Sequence, residues 1–239
     1  MHPFFLSLLR QKKDMEPNLI QFLSGFVTPE RLALFTKILS LRTNYITVVL
    51  EDIFQSQNAS AVLRTADCFG IQNVHVIENR NIFQVNPDVV QGASNWVTVN
   101  RYKTESTNTV SAIRKLKADG YRIIATSPHE HDVNLEDFNL EKGKAAFIFG
   151  TERPGLSDLA KQEADEFMKI PMVGFTESLN VSVSVAVTLH HLSHQLRNHS
   201  SIDWHLTEQE KQKILLHWLR LSIKRVDLLE QKFEELNKK

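Results

Sequence analysis

Three short polar stretches hold most of the residues in this chain that could perform chemistry. The first is Asn58-Ala59-Ser60-Ala61-Val62-Leu63-Arg64-Thr65-Ala66-Asp67, and the second is Phe149-Gly150-Thr151-Glu152-Arg153-Pro154-Gly155-Leu156. The third runs Ile170-Pro171-Met172-Val173-Gly174-Phe175-Thr176-Glu177-Ser178-Leu179-Asn180-Val181-Ser182-Val183. Between them they offer two guanidiniums that can clamp anionic oxygen, three carboxylates, two side-chain amides and hydroxyls. Their glycines let backbone come close to a ligand. Taken singly, each stretch also reads as ordinary structure: a capped helix, a tight glycine turn, and a strand-loop-helix join.

Several other chemistries are disfavoured. None of the eight glycines forms G-x-G-x-x-G after a strand. Gly150 and Gly155 have the spacing of a phosphate-binding loop, but Leu156-Ser157 follows where that loop needs Lys-Ser/Thr. Glu51-Asp52-Ile53-Phe54-Gln55 occupies the turn that an ordinary dinucleotide-fold methyltransferase fills with glycine. His190 and His194 share a helical face with no glutamate between them, and His129-Glu130-His131 sits in an expected loop. Both sets read as surface or interface histidines, and no metal is expected. Cys68 is the single cysteine, so an intrachain disulfide is excluded. It reads as a buried structural thiol in a reducing compartment.

The elements that would position the three stretches follow from periodicity. Thr28-Pro29 starts a helix carrying Leu32, Phe35, Ile38 and Leu39. Tyr45–Leu50 and Val74–Ile77 read as buried strands, and a helix over Ala59–Phe69 closes at Gly70. A helix over Thr109–Asp119 then precedes strands at Arg122–Thr126, Ala145–Phe149 and Phe167–Ile170. Residues 178–197 alternate like a strand at first, but their length and the row Val181, Val185, Leu189, Leu192, Leu196 predict a helix. Thr207-Glu208-Gln209-Glu210 is a capping box that opens a final helix with Ile214, Trp218 and Leu221 on one side. Apolar strands alternating with helices predict an α/β fold with a parallel sheet covered on both faces. Such sheets place their sites at the strands' C-terminal ends, where the three stretches fall.

Charge is balanced, with 28 Lys and Arg against 28 Asp and Glu. Any nucleic-acid contact must therefore come from local patches. The start of the chain lacks a cationic leader, and no segment is long and apolar enough to span a bilayer. A soluble, cytoplasmic protein is expected, with no membrane partner.

In this order and separation, the three stretches resemble the motifs of the SpoU/TrmH branch of the SPOUT methyltransferases. The likeness covers about Thr28 to Arg197, and the Ser-Leu-Asn-Val-Ser run is its most specific part. The resemblance implies a deep C-terminal trefoil knot, a homodimer, and S-adenosylmethionine held mostly by loop backbone. It divides the chain into a helical extension over 1–42, a methyltransferase domain over 43–200 and a second helical extension over 201–239. By position it assigns Thr126, Gly150, Ile170 and Leu179 to the cofactor, and Arg64, Asn58, Glu152, Ser178 and Asn180 to catalysis. Arg64 takes the central role, with Ser178 expected to orient it.

The activity implied is 2′-O-methylation of a ribose in tRNA, with guanosine 18 of the D-loop as the expected target. The short terminal arms favour that target over rRNA. Another tRNA nucleotide, rRNA, a silent knotted RNA-binding protein and a small-molecule-binding domain stay open. One departure is Gln55-Ser56-Gln57, where close relatives often carry Lys-Pro-His. Arg42, Arg64, Arg153, Lys211, Lys213, Lys224 and Arg225 are the candidates for a cationic groove.

Overall fold

A computed structural model describes residues 16–105, 107–127, 133–151, 154–198 and 201–237. Helix α1 covers residues 16–24. Helix α2 (Pro29–Leu39) starts as its sequence dictates, with Thr28 Oγ1 accepting from Arg31 N and proline in the first turn. All six residues of β1 (Ile46–Glu51) are buried, as a strand covered on both faces requires.

Helix α3 (Ser56–Cys68) lays Ala59, Val62, Leu63 and Ala66 against the core. Then come β2 (Asn73–Ile77), the short α4 (Pro87–Val90), β3 (Thr98–Tyr102) and α5 (Asn108–Ala118). Next are β4 (Arg122–Thr126), β5 (Val133–Asn134), β6 (Ala145–Phe149), α6 (Asp158–Glu163), β7 (Glu166–Lys169) and α7 (Val181–Asn198). The chain continues with α8 (Glu208–Ser222) and α9 (Val226–Leu236).

The seven strands lie in the order β3-β2-β1-β6-β4-β7-β5, and every pairing is parallel. All C-terminal strand ends therefore share one edge of the sheet. Two compact units result: Thr43–His205, which holds the sheet, and a helical unit that joins the described residues up to Arg42 with those from Leu206 onward. In the helical unit Phe35 packs on Trp218 with ring centres 5.5 Å apart, and Phe22 meets Phe233 at 5.3 Å.

The structure corrects three expectations. Cys68 is exposed, because it lies two residues past Ala66, about 200° around α3 from the buried row. The expected single final helix is two, divided where Arg225 takes φ +55° and breaks the helical path. Arg42 is not a surface cation: it is 2% exposed, with its guanidinium 5.4 Å from the Trp218 ring centre. The short β3, β5 and α6 were not expected. His129-Glu130-His131 lies outside the described residues. Among the described residues no helix is long and apolar enough to cross a membrane.

Candidate active site

One cavity of about 210 Å³ opens at the C-terminal edge of β4, β6 and β7. Three segments far apart in sequence wall it: the end of β4 at Thr126 and Ser127, the residues Phe149–Thr151 and Pro154–Leu156 after β6, and a third segment that contributes Met168–Ile170, Met172 and Glu177–Leu179 before entering α7. All four residues assigned by position to a cofactor (Thr126, Gly150, Ile170 and Leu179) stand on this wall, together with Ser178.

Backbone sets the shape of the turn after β6. Gly155 has φ +87°, and its carbonyl accepts from Thr151 N at 3.3 Å. Gly150 lies so close to this return that an added Cβ would be 2.3 Å from Gly155 C and O and 2.4 Å from Leu156 N. A side chain at 150 cannot be accommodated unless backbone moves.

A carboxylate anchors the same turn from below. Glu51, 2% exposed at the end of β1, accepts from Ser157 N at 2.9 Å, Ser157 Oγ at 2.7 Å and Thr109 Oγ1 at 2.6 Å. Ser157 Oγ in turn caps α6 by accepting from Ala160 N at 3.1 Å. The cavity turn is thus tied to the central sheet one residue past its wall at Leu156. Sequence reasoning missed Glu51 as a site residue. The available signal was a carboxylate ending an otherwise apolar strand, which must find donors if it is buried.

The first and third stretches meet through their amides. Asn180 Nδ2 donates to Asn58 Oδ1 at 3.1 Å, and Asn180 Oδ1 accepts from Ser182 N at 2.9 Å and Ser182 Oγ at 2.6 Å. Asn58 Nδ2 donates to Gln55 Oε1 at 3.1 Å. These two asparagines join the start of α3 to the start of α7. Arg64, two turns along α3, is exposed and does not line its own chain's cavity. No hydrogen bond joins Arg64 to Ser178 among the described residues. Glu152 and Arg153 lie outside the described residues.

The wall is chemically mixed. Leu156, Ile170, Leu179 and Val181 supply apolar surface, while Lys161 and Glu177 bring opposite charges. Thr188 also lines it, 0% exposed, with an Oγ1 that has no hydrogen-bond partner among the described residues. A buried hydroxyl without a partner costs free energy. Among the described residues no group of three His, Cys, Asp or Glu is placed to hold a metal ion.

Residues 45–190, which contain the whole cavity, match the SpoU rRNA Methylase family. The chain belongs to this family. This SpoU methylase is 48% identical, over 88% of its length and 94% of the relative, to a Borreliella burgdorferi protein named tRNA (guanosine(18)-2′-O)-methyltransferase. A Thermus thermophilus protein of the same name is 32% identical over 81% of this chain and 97% of its own. Among solved structures, an A. aeolicus TrmH/SpoU tRNA modifying enzyme superposes with a TM-score of 0.70 at 26% identity, covering 82% of this chain and 98% of that one.

Proposed function

We propose that this SpoU methylase uses S-adenosylmethionine to methylate the 2′-hydroxyl of guanosine 18 in the D-loop of tRNA. The observation that carries the reading is the 48% identity, across nearly the full length of both chains, to a relative named for that activity. The cavity suits the cofactor. Its apolar side matches an adenine, and Lys161 and Glu177 match the carboxylate and ammonium of an amino acid. There is no pyrophosphate to cradle, which accounts for the missing glycine fingerprint.

S-adenosylmethionine, when bound, supplies a methyl carbon made electrophilic by its sulfonium. The protein's task is to bring a ribose oxygen in line with that carbon and to accommodate the charge as the O–H bond gives way. Arg64 stabilises the developing alkoxide and holds a neighbouring phosphate. A guanidinium keeps its own protons, so the hydroxyl proton passes to a substrate phosphate or to water. Asn58 and Asn180 hold the two loops in register, Ser178 lies on the wall beside them, and Glu152 belongs to the same catalytic set.

Arg64 does not line the cavity of its own chain, so the reading includes a homodimer in which one copy's Arg64 serves its partner's cavity. It also includes the threaded chain path that the resemblance implies, and a cytoplasmic location.

The test is incubation with total RNA and methyl-labelled S-adenosylmethionine, followed by mass-spectrometric mapping of 2′-O-methyl sites. Label at position 18 of tRNA is expected. Label at another site would retain the chemistry and refute the target, and cofactor binding without label would indicate a silent RNA-binding protein. Arg64→Ala is expected to bind cofactor normally and turn over roughly 10²–10³-fold more slowly. Mixing Arg64→Ala with Gly150→Val chains should restore activity if the two sites are shared across a dimer.

A further inference from the structure

A second concavity lies at the same sheet edge, beyond the ends of β2 and β3. It is lined by Glu78, Asn79, Arg80, Asn81, Ile82, Arg101 and Lys103. Three cations face one carboxylate here, and that carboxylate is already committed. Glu78 takes both Arg101 Nε and Nη2 at 2.7 Å and also accepts from Phe83 N at 2.8 Å. Arg101 is thereby a structural strut, with a further bond to Phe83 O at 3.3 Å. Arg80 and Lys103 are both exposed, and neither has an ion-pair partner within bonding distance among the described residues.

The loop bearing Arg80 is built, not slack. Asp52, held at φ +53° just past β1, accepts from Asn79 N at 2.7 Å, Arg80 N at 2.8 Å and Asn81 N at 3.4 Å. Asn81 Nδ2 closes the loop by donating to Asp52 O at 2.7 Å. The Asp52 charge is thus met by backbone amides, and the Arg80 side chain projects from a fixed base. Lys103 directly follows β3, whose Tyr102 carbonyl accepts from Glu78 N at 2.9 Å. The exposed Ile82 adds an apolar surface beside the two cations.

We infer that Arg80 and Lys103 form a phosphate grip that holds the RNA backbone while a ribose a few nucleotides away lies in the methyl-transfer cavity. Adjacent strands are ~4.8 Å apart, so three spacings from β2 to β4 put the two concavities about 14 Å from each other along one edge. The α3 helix leaves the end of β1, between them. A chain of zero net charge needs such a local positive patch, because its overall field gives an anionic polymer no pull. The grip rests on the reading of tRNA as substrate. It adds the place where the backbone is held, and it uses none of the cations singled out from sequence.

The experiment is binding of an unmodified tRNA transcript to wild type and to Arg80→Ala/Lys103→Ala across a range of KCl, with cofactor affinity measured by calorimetry as a check on folding. Loss of two phosphate contacts should flatten the slope of log K against log[salt] by roughly 1.4–1.8. Cofactor affinity should stay within twofold. An unchanged slope in a variant that binds cofactor normally overturns the grip and leaves the substrate reading standing. A wild type that binds no tRNA removes the substrate reading, and the grip with it.

Discussion

Replacing Gly150 with alanine puts a carbon 2.3 Å from the Gly155 carbonyl group and 2.4 Å from Leu156 N. Carbon contacts settle near 3.5 Å, so backbone must move by more than about 1 Å to admit the methyl group. That movement is resisted from both sides. Gly155 O is held by Thr151 N, and Ser157 is tied to Glu51 by two hydrogen bonds. Over-packing of this kind costs about 1–3 kcal/mol. At 2–4 °C per kcal/mol for a chain of this size, the melting temperature should fall by roughly 2–12 °C. The displaced residues line the cavity, so affinity for S-adenosylmethionine should drop roughly tenfold or more, the equivalent of about 1.4 kcal/mol. Thermal melts and calorimetry on the same preparation read both quantities. A Gly150→Ala protein that melts and binds like wild type would refute the claim that close backbone approach shapes the cavity.

Other perturbations test other parts. Glu51→Ala strands Ser157 N and should cost about 1–3 kcal/mol, whereas Glu51→Gln keeps one acceptor and should recover much of that loss; equal denaturation midpoints for both variants would dismiss the anchor. Thr188→Val removes a buried hydroxyl that has no partner among the described residues, so the melting temperature should hold or rise; a clear fall would show that the hydroxyl is satisfied in the folded protein. His75, buried in β2 beside Tyr102 with Lys115 and Asp119 as its charged neighbours, is held by burial at a pKa of about 4, down from 6.5. The unfolded chain binds this proton more readily, so stability is complete above pH 6.5 and declines as pH falls toward 4, by about 3 kcal/mol in all. His75→Gln should flatten that acid limb in urea melts, and an unchanged pH profile would exclude His75 as its source.

Much of the sheet was legible because its central strands are apolar on both faces. Arg122–Thr126 and Ala145–Phe149 match residue for residue, and β1 and β2 match to within one residue at either end. The capping box at Thr207 and Glu210 is present as read. Strand β3 escaped because its Thr-Val-Asn-Arg-Tyr run lies half-exposed at the sheet edge, where no apolar pattern is required. Strand β5 is two residues long, too short for periodicity to register. The four positions assigned to the cofactor gather around one cavity, since loops at parallel strand ends share an edge. Thr188 and Glu51 lay hidden for a different reason. Each looks like plain secondary structure in the sequence, and only three-dimensional burial reveals an unanswered hydroxyl or a carboxylate that ties two segments together.

The sixth strand to be synthesised is the middle one of the seven, wedged between β1 and β4. Until Ala145–Phe149 has cleared the ribosome, the nascent polypeptide holds one three-stranded sheet, β3-β2-β1, with a bare β1 edge, while β4 and β5 have no partner strands yet made. Exposed apolar edges of that kind invite pairing with other chains. Closure must therefore wait until late in translation, and a fragment that stops short of residue 145 should be a target for chaperones rather than a smaller working enzyme.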